Sequence, residues 1–188
     1  MCARQWKYWL VLLCCVGGFS CHRATTVQEQ EKSLYQLGVE LRDAIMQRDA
    51  TRFAKLVSPE KREWDSIELG TDTILQREEF LEEMRTRRGL SYAKIFDTAQ
   101  WQQLWGTASA DTKHGYFTRA NILSVVDLFQ QAGSLLTIHP EIVPGQAGSP
   151  TYGVVHYEWP AKSKMYYADP EFVWTKYGWR MNAFFMKQ

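Results

Sequence analysis

Three stretches near the C-terminus decide how this chain reads: Thr151–Trp159 (TYGVVHYEW), Phe172–Tyr177 (FVWTKY) and Trp179–Met186 (WRMNAFFM). Each is dense in β-branched and aromatic residues, which suit the pleated, half-buried surface of a strand. Ser134–Val143 (SLLTIHPEIV) is a fourth run of the same kind just upstream. Turn formers separate the runs at Pro144-Gly145, Gly148-Ser149-Pro150, Asp169-Pro170 and Gly178. Strands that follow one another through short turns pair as an antiparallel meander. Side chains alternate across a strand, so the faces can be assigned. Trp179, Met181, Ala183 and Phe185 share one side of the last strand. Phe172 and Trp174 share one side of its neighbour, and Tyr157 and Trp159 one side of an earlier strand.

Upstream the period changes from two to between three and four. Thr26 and Glu29 form a Thr-x-x-Glu capping box, and Leu34, Leu37, Leu41 and Ile45 continue as one apolar stripe of a long helix. Asp49 suits the N-cap of a short helix carrying Phe53, Leu56 and Val57, stopped by Ser58-Pro59. Thr73-x-x-Gln76 signals a third helix, with Leu81 and Met84 inward and Gly89 beyond its end. Residues 98–105 (TAQWQQLW) read as a short helix or turn. Thr118 is the expected cap of another helix through Ile122, Leu123, Val126 and Phe129, ending near Gly133. Helices first and a meander later make the fold class α+β, with N-terminal helices packed on a C-terminal curved antiparallel sheet.

Composition narrows the function. Hydrophobic residues make up 45% and charged residues 23%, a globular balance. Net charge is +1, and without residues 1–20, which hold Arg4 and Lys7, 20 basic side chains face 21 acidic ones. Such a balance has no footprint for nucleic acid. The one basic cluster, Arg85-Thr86-Arg87-Arg88, falls where a helix should end, and cations there complement the helix dipole.

The N-terminus has its own logic. Arg4 and Lys7 precede the apolar stretch Tyr8–Phe19 (YWLVLLCCVGGF), too short to span a bilayer, which takes about twenty residues. That order belongs to an export signal. All four cysteines lie within the first twenty-one residues, and none follows Cys21. Gly18-Phe19-Ser20-Cys21 resembles the lipobox of bacterial lipoproteins, where a small residue precedes the modified cysteine. The resemblance implies a signal peptide over 1–20 and diacylglycerol on the sulfur of Cys21. It further implies a tether over 21–30 and a single domain over 31–188. With His22 rather than Asp next to Cys21, it implies the outer membrane, so the expected location is the cell envelope and the first partner is the membrane itself. Two or more acyl chains anchor a protein stably where one does so only marginally. The domain layout is similar to the nuclear transport factor 2-like fold, a cone of helices against a curved sheet. The features in common are the long first helix, the Arg48-Asp49 turn, Ser58-Pro59 and the closing Gly178-Trp179-Arg180. That fold implies an early hairpin near residues 60–72, and it serves enzymes and non-catalytic binders alike.

Candidate chemistry falls into two sets. His156 and Glu158 are two apart in a strand and so share a face, a pair suited to general acid–base work. Together with His139 and Glu141 the same residues could serve a metal, although a histidine near a strand end is more often a polar surface or satisfied core residue. His114 reads as a loop residue, and Asp43, Asp49 and Asp97 are acids by type alone. No Gly-x-Ser-x-Gly elbow, phosphate loop or His-Glu-x-x-His pair is present, and no cofactor or metal is expected. The second set is aromatic: Trp105, Tyr157, Trp159, Trp174 and Trp179. Its plain reading is a sheet face packed under helices. The sharper one is a site for an apolar ligand or partner, rimmed by Trp101, Trp105, Tyr116 and Trp159-Pro160, with Tyr166-Tyr167 in a nearby polar loop. The functional expectation is an envelope lipoprotein that binds a protein or a small apolar ligand without catalysis. The alternative is a small cavity isomerase or hydrolase using the His/carboxylate pair.

Overall fold

In the computed structural model of the chain, residues 26–59, 63–65, 74–107, 123–143, 145, 151–161 and 164–187 are described. The expected α+β arrangement is the one found: helices come first, and a meander of four antiparallel strands closes the chain. The leader, Cys21, Thr73, His114, Tyr116 and Thr118 lie outside the described residues.

Helix α1 (Val27–Met46) opens with the capping box foreseen at Thr26 and Glu29. Its stripe Leu34, Leu41, Ala44 and Ile45 is fully buried. The helix ends at Gln47, and Arg48 turns the chain with a positive φ of 55°. Asp49 then caps α2 (Ala50–Ala54), its carboxylate accepting from the amide of Arg52 at 2.9 Å. Strands β1 (Glu63–Asp65) and β2 (Ile74–Gln76) form a short antiparallel hairpin, close to where the nuclear transport factor 2-like resemblance puts one.

Helix α3 (Arg77–Thr86) corrects the sequence reading. Its box is Gln76 with Glu79 rather than Thr73 with Gln76, and Phe80 and Met84 are its buried residues. Arg87, at φ 56°, ends it in the left-handed conformation, and Gly89 belongs to the start of the next helix. That helix, α4 (Leu90–Phe96), was not foreseen. It is buried along most of its length, so no polar face marks its period. Glu83 of α3 accepts from the amides of Ser91 and Tyr92 at 2.7 and 3.3 Å, filling the place of a local cap on α4. Helix α5 (Thr98–Thr107) extends the expected short helix, and α6 (Val125–Ala132) begins after Ser124 and stops at Gly133.

The sheet has six strands in the order β2-β1-β6-β5-β4-β3. Strands β3 (Thr137–Val143), β4 (Tyr152–Ala161), β5 (Lys164–Thr175) and β6 (Gly178–Lys187) pair consecutively, and β1 meets β6 in parallel at Asp65↔Ala183. Asp169-Pro170 is not a turn. Both residues lie inside β5, and Tyr166-Tyr167, read as a loop, pair with Trp159 and Glu158. Proline cannot donate to a ladder, and Pro170 sits beside a register shift at Glu171/Phe172, where a bulge relaxes the pairing. The shift makes Asn182 the extra residue of β6 and changes the alternation after it. Phe184 is the buried core residue there, and it packs 6.3 Å from Phe53 of α2.

Close approach of α1 to the sheet rests on two glycines. A Cβ on Gly38 would stand 2.7 Å from Val155, and one on Gly153 would stand 2.6 Å from Leu34. The helix therefore lies almost on the backbone of β4, and the Tyr157 hydroxyl donates to the Gly38 carbonyl at 2.5 Å.

Candidate functional site

The polar site lies on the sheet face turned away from the helices. In β3 the burial alternates, with Ile138, Pro140 and Ile142 half-buried and Thr137, His139 and Glu141 exposed. His139 pairs directly with His156 of β4. The pairs Val154↔Glu171 and Tyr157↔Ala168 put Asp169 of β5 across from His156 on its other side. His156 thus stands in the middle of three strands. Its Nδ1 lies 3.0 Å from Asp169 Oδ1 and its Nε2 3.0 Å from Glu141 Oε2. Asp169 is buried, His156 is partly exposed, and Glu141 is mostly in solvent. Partial burial by itself pulls the imidazole down, but the hydrogen bonds and charges of Asp169 and Glu141 outweigh it and raise its pKa.

This arrangement corrects the expected pair. Glu158 shares the face of His156, yet the carboxylates bonded to the imidazole come from the flanking strands. Asp169 stands directly opposite His156, where Cβ atoms are about 4.5–5.5 Å apart, and Glu141, opposite Val154, reaches the ring along the diagonal. Asp169 was missed because Asp-Pro reads as a turn, and only the strand pairing reveals it. Among the described residues no group of three His, Cys, Asp or Glu side chains is placed to hold a metal.

The aromatic set is divided differently. Tyr157, Trp159 and Trp179 lie in the helix–sheet core with Val155, Phe172, Met181 and Phe184. Phe129 of α6 packs 5.1 Å from Tyr157 and 5.6 Å from Trp159, the second contact edge-on. The Trp179 indole donates towards the Gln30 carbonyl and Ser33 hydroxyl of α1, both at 3.1 Å, and meets half-buried Trp174 edge-on at 5.0 Å. Burial holds the Tyr157 hydroxyl neutral, far above its ordinary range. Trp101, expected at a rim, is buried in α5. The side chains of Trp105, Tyr166, Tyr167 and Phe185 lie outside what the structure describes.

The acids read by type have structural work. Asp97 accepts from the Gln100 amide at 3.0 Å, and that bond lowers its pKa. Asp43 pairs with Arg42 at 2.7 Å. Asp49 caps α2, and Asp127, which the sequence reading did not single out, bridges Arg48 at 2.8 Å and accepts from Thr98.

Two further features escaped the sequence reading. Lys94 of α4 is completely buried, its ammonium 4.6 Å from the centre of the Trp101 ring, and burial lowers its pKa to about 7. The signal was a single lysine in the otherwise apolar run Tyr92–Phe96 (YAKIF). An apolar groove of about 260 Å³ lies between α2 and α3, walled by Ala50, Ala54, Leu81 and Met84 with Lys55 and Arg85.

No family model matches the chain, and no curated protein does. A solved structure from Nostoc punctiforme, a domain of unknown function with a cystatin-like fold, is similar over 86% of this chain and 78% of its own. The two share 12% identity with a TM-score of 0.39.

Proposed function

We propose that this chain is an exported lipoprotein, held at the outer membrane of the cell envelope through acylated Cys21. Its domain is a non-catalytic binding or accessory module for a protein or a small apolar ligand, built on a nuclear transport factor 2-like layout. The observation that carries the reading is the distribution of thiols: a basic, apolar leader ends at Cys21, and the 167 residues after it contain no cysteine. One thiol placed at the end of an export signal has an anchoring use that a free surface thiol lacks. Among the described residues no helix is long and apolar enough to cross a membrane. The binding half is supported by the apolar lining of the α2–α3 groove, where half-buried Leu81 stands beside Ala50 and Ala54.

The test is growth with a clickable fatty acid, comparing wild type with Cys21→Ala. Label on the wild-type band and none on the variant is the expected result, with the variant leaving the membrane fraction. Equal labelling of both overturns the anchor.

A second reading, an acid–base enzyme, has one observation in its favour. Buried Asp169 holds Nδ1 of His156, which orients the ring as a carboxylate does in a general-base dyad. Turnover of a panel of activated esters, lost in His156→Gln, would favour it over binding.

A further inference from the structure

The imidazole of His156 stands between two carboxylates that belong to different strands. Asp169 on β5 is 3.0 Å from one ring nitrogen and Glu141 on β3 is 3.0 Å from the other. A neutral imidazole has one N–H and can donate to only one carboxylate, while the imidazolium donates from both nitrogens. Two acceptors in this position therefore match the protonated ring. Among the described residues strand β3 is the outermost of the sheet, paired to β4 alone. Pro140 at its middle has no N–H, which suits an edge strand.

We propose that His156 is a protonation-dependent clasp, which when charged fastens edge strand β3 to β4 and β5 through Glu141 and Asp169. Among the described residues, the acids and histidines sharing its face are His139 and Glu141 on β3, Glu158 on its own strand, and Asp169 and Glu171 on β5, with the Tyr152 phenol further along β4. Four of these five acids and histidines are carboxylic acids, so their field favours the charged form of the ring, and of the five His139 opposes it. When the proton leaves, the ring keeps one donor. Asp169 is buried and Glu141 is 62% exposed. The remaining N–H stays with buried Asp169, because exposed Glu141 exchanges its lost partner for water at little cost. The link to β3 opens, and the link between β4 and β5 persists. The sign follows from the raised pKa: the tie is complete below the unfolded value near ~6.5 and is lost as pH climbs through the folded value. The device makes the sheet edge on the β3 side looser in alkaline than in mildly acid surroundings.

The experiment is amide hydrogen exchange on the whole folded chain, with each rate divided by its intrinsic rate. The ratio of β3 exchange to β6 exchange is followed from about pH 5.5 to about pH 8.5, a range that brackets histidine titration. In wild type the ratio is expected to rise about two- to fivefold, the size of one partly exposed charge-assisted bond. In Glu141→Gln, an exposed change that leaves the core alone, it is expected to stay flat. The ring proton of His156 read by NMR gives a second measure: its midpoint lies above that of free histidine and falls in Asp169→Asn. A flat ratio in wild type, an equal rise in Glu141→Gln, or an ordinary midpoint for His156 overturns the clasp.

Discussion

The two faces of the sheet are built from the same strands and do opposite work. The inner face carries Val155, Tyr157, Trp159, Phe172, Trp179 and Met181, all buried and held against α1 and α6. The outer face of the same strands carries His139, Glu141, His156, Glu158 and Glu171, with buried Asp169 among them. The inner rings find partners in one another, and the polar tip of Tyr157 among them is satisfied by a helix carbonyl. The outer residues find partners across strands, and the carboxylates bonded to His156 raise its pKa. The buried aromatics of the strands therefore mark the core here, and His156 with its carboxylate partners sits on the opposite face.

The contrast can be broken by substitution, and the expected effects fall in order. Tyr157→Ala removes a fully buried ring and leaves the Gly38 carbonyl without its hydroxyl, so urea unfolding should lose about 3–5 kcal/mol. Gly38→Val forces methyl groups into Val155 across the α1–β4 contact, and a loss of about 1–3 kcal/mol is expected by the same measurement. Lys94→Met should act in the other direction. The folded ammonium titrates at about 7 and the unfolded one near ~10.4, so the wild type gains stability as pH rises between those values and loses it as pH falls. Replacing it with an apolar chain of similar length should stabilise the protein by about 1–3 kcal/mol at neutral pH and flatten that slope in thermal melts. Glu158→Gln on the outer face is expected to change stability by no more than about 0.5 kcal/mol.

Most of the architecture was legible because its elements are amphipathic. Helix α1 shows a capping box and a stripe, and β4 alternates Val155, Tyr157 and Trp159 inward against Val154, His156 and Glu158. Helix α4 was illegible for the converse reason: buried on nearly all sides, LSYAKIF has no period to read. Strand β5 was cut short because Asp169-Pro170 looks like a turn wherever the neighbouring strand is unknown. The bulge at Asn182 shifted the inward position from Phe185 to Phe184, since one inserted residue reverses the parity of everything after it. The partners of His156 were misassigned for a related reason. Spacing along one strand reveals a shared face, and only the register reveals who stands opposite. The site was thus legible as a face and a histidine, and illegible as a set of contacts.

The division of labour between the two faces is tested most directly by urea unfolding of Trp159→Ala beside His156→Gln at about pH 8, where histidine is largely neutral. Trp159→Ala should lose about 3–5 kcal/mol with an unchanged dependence on urea, and His156→Gln should stay within about 1 kcal/mol of wild type. A Trp159→Ala protein as stable as wild type would mean that the inner rings line open space for a ligand, and would contradict a packed inner face.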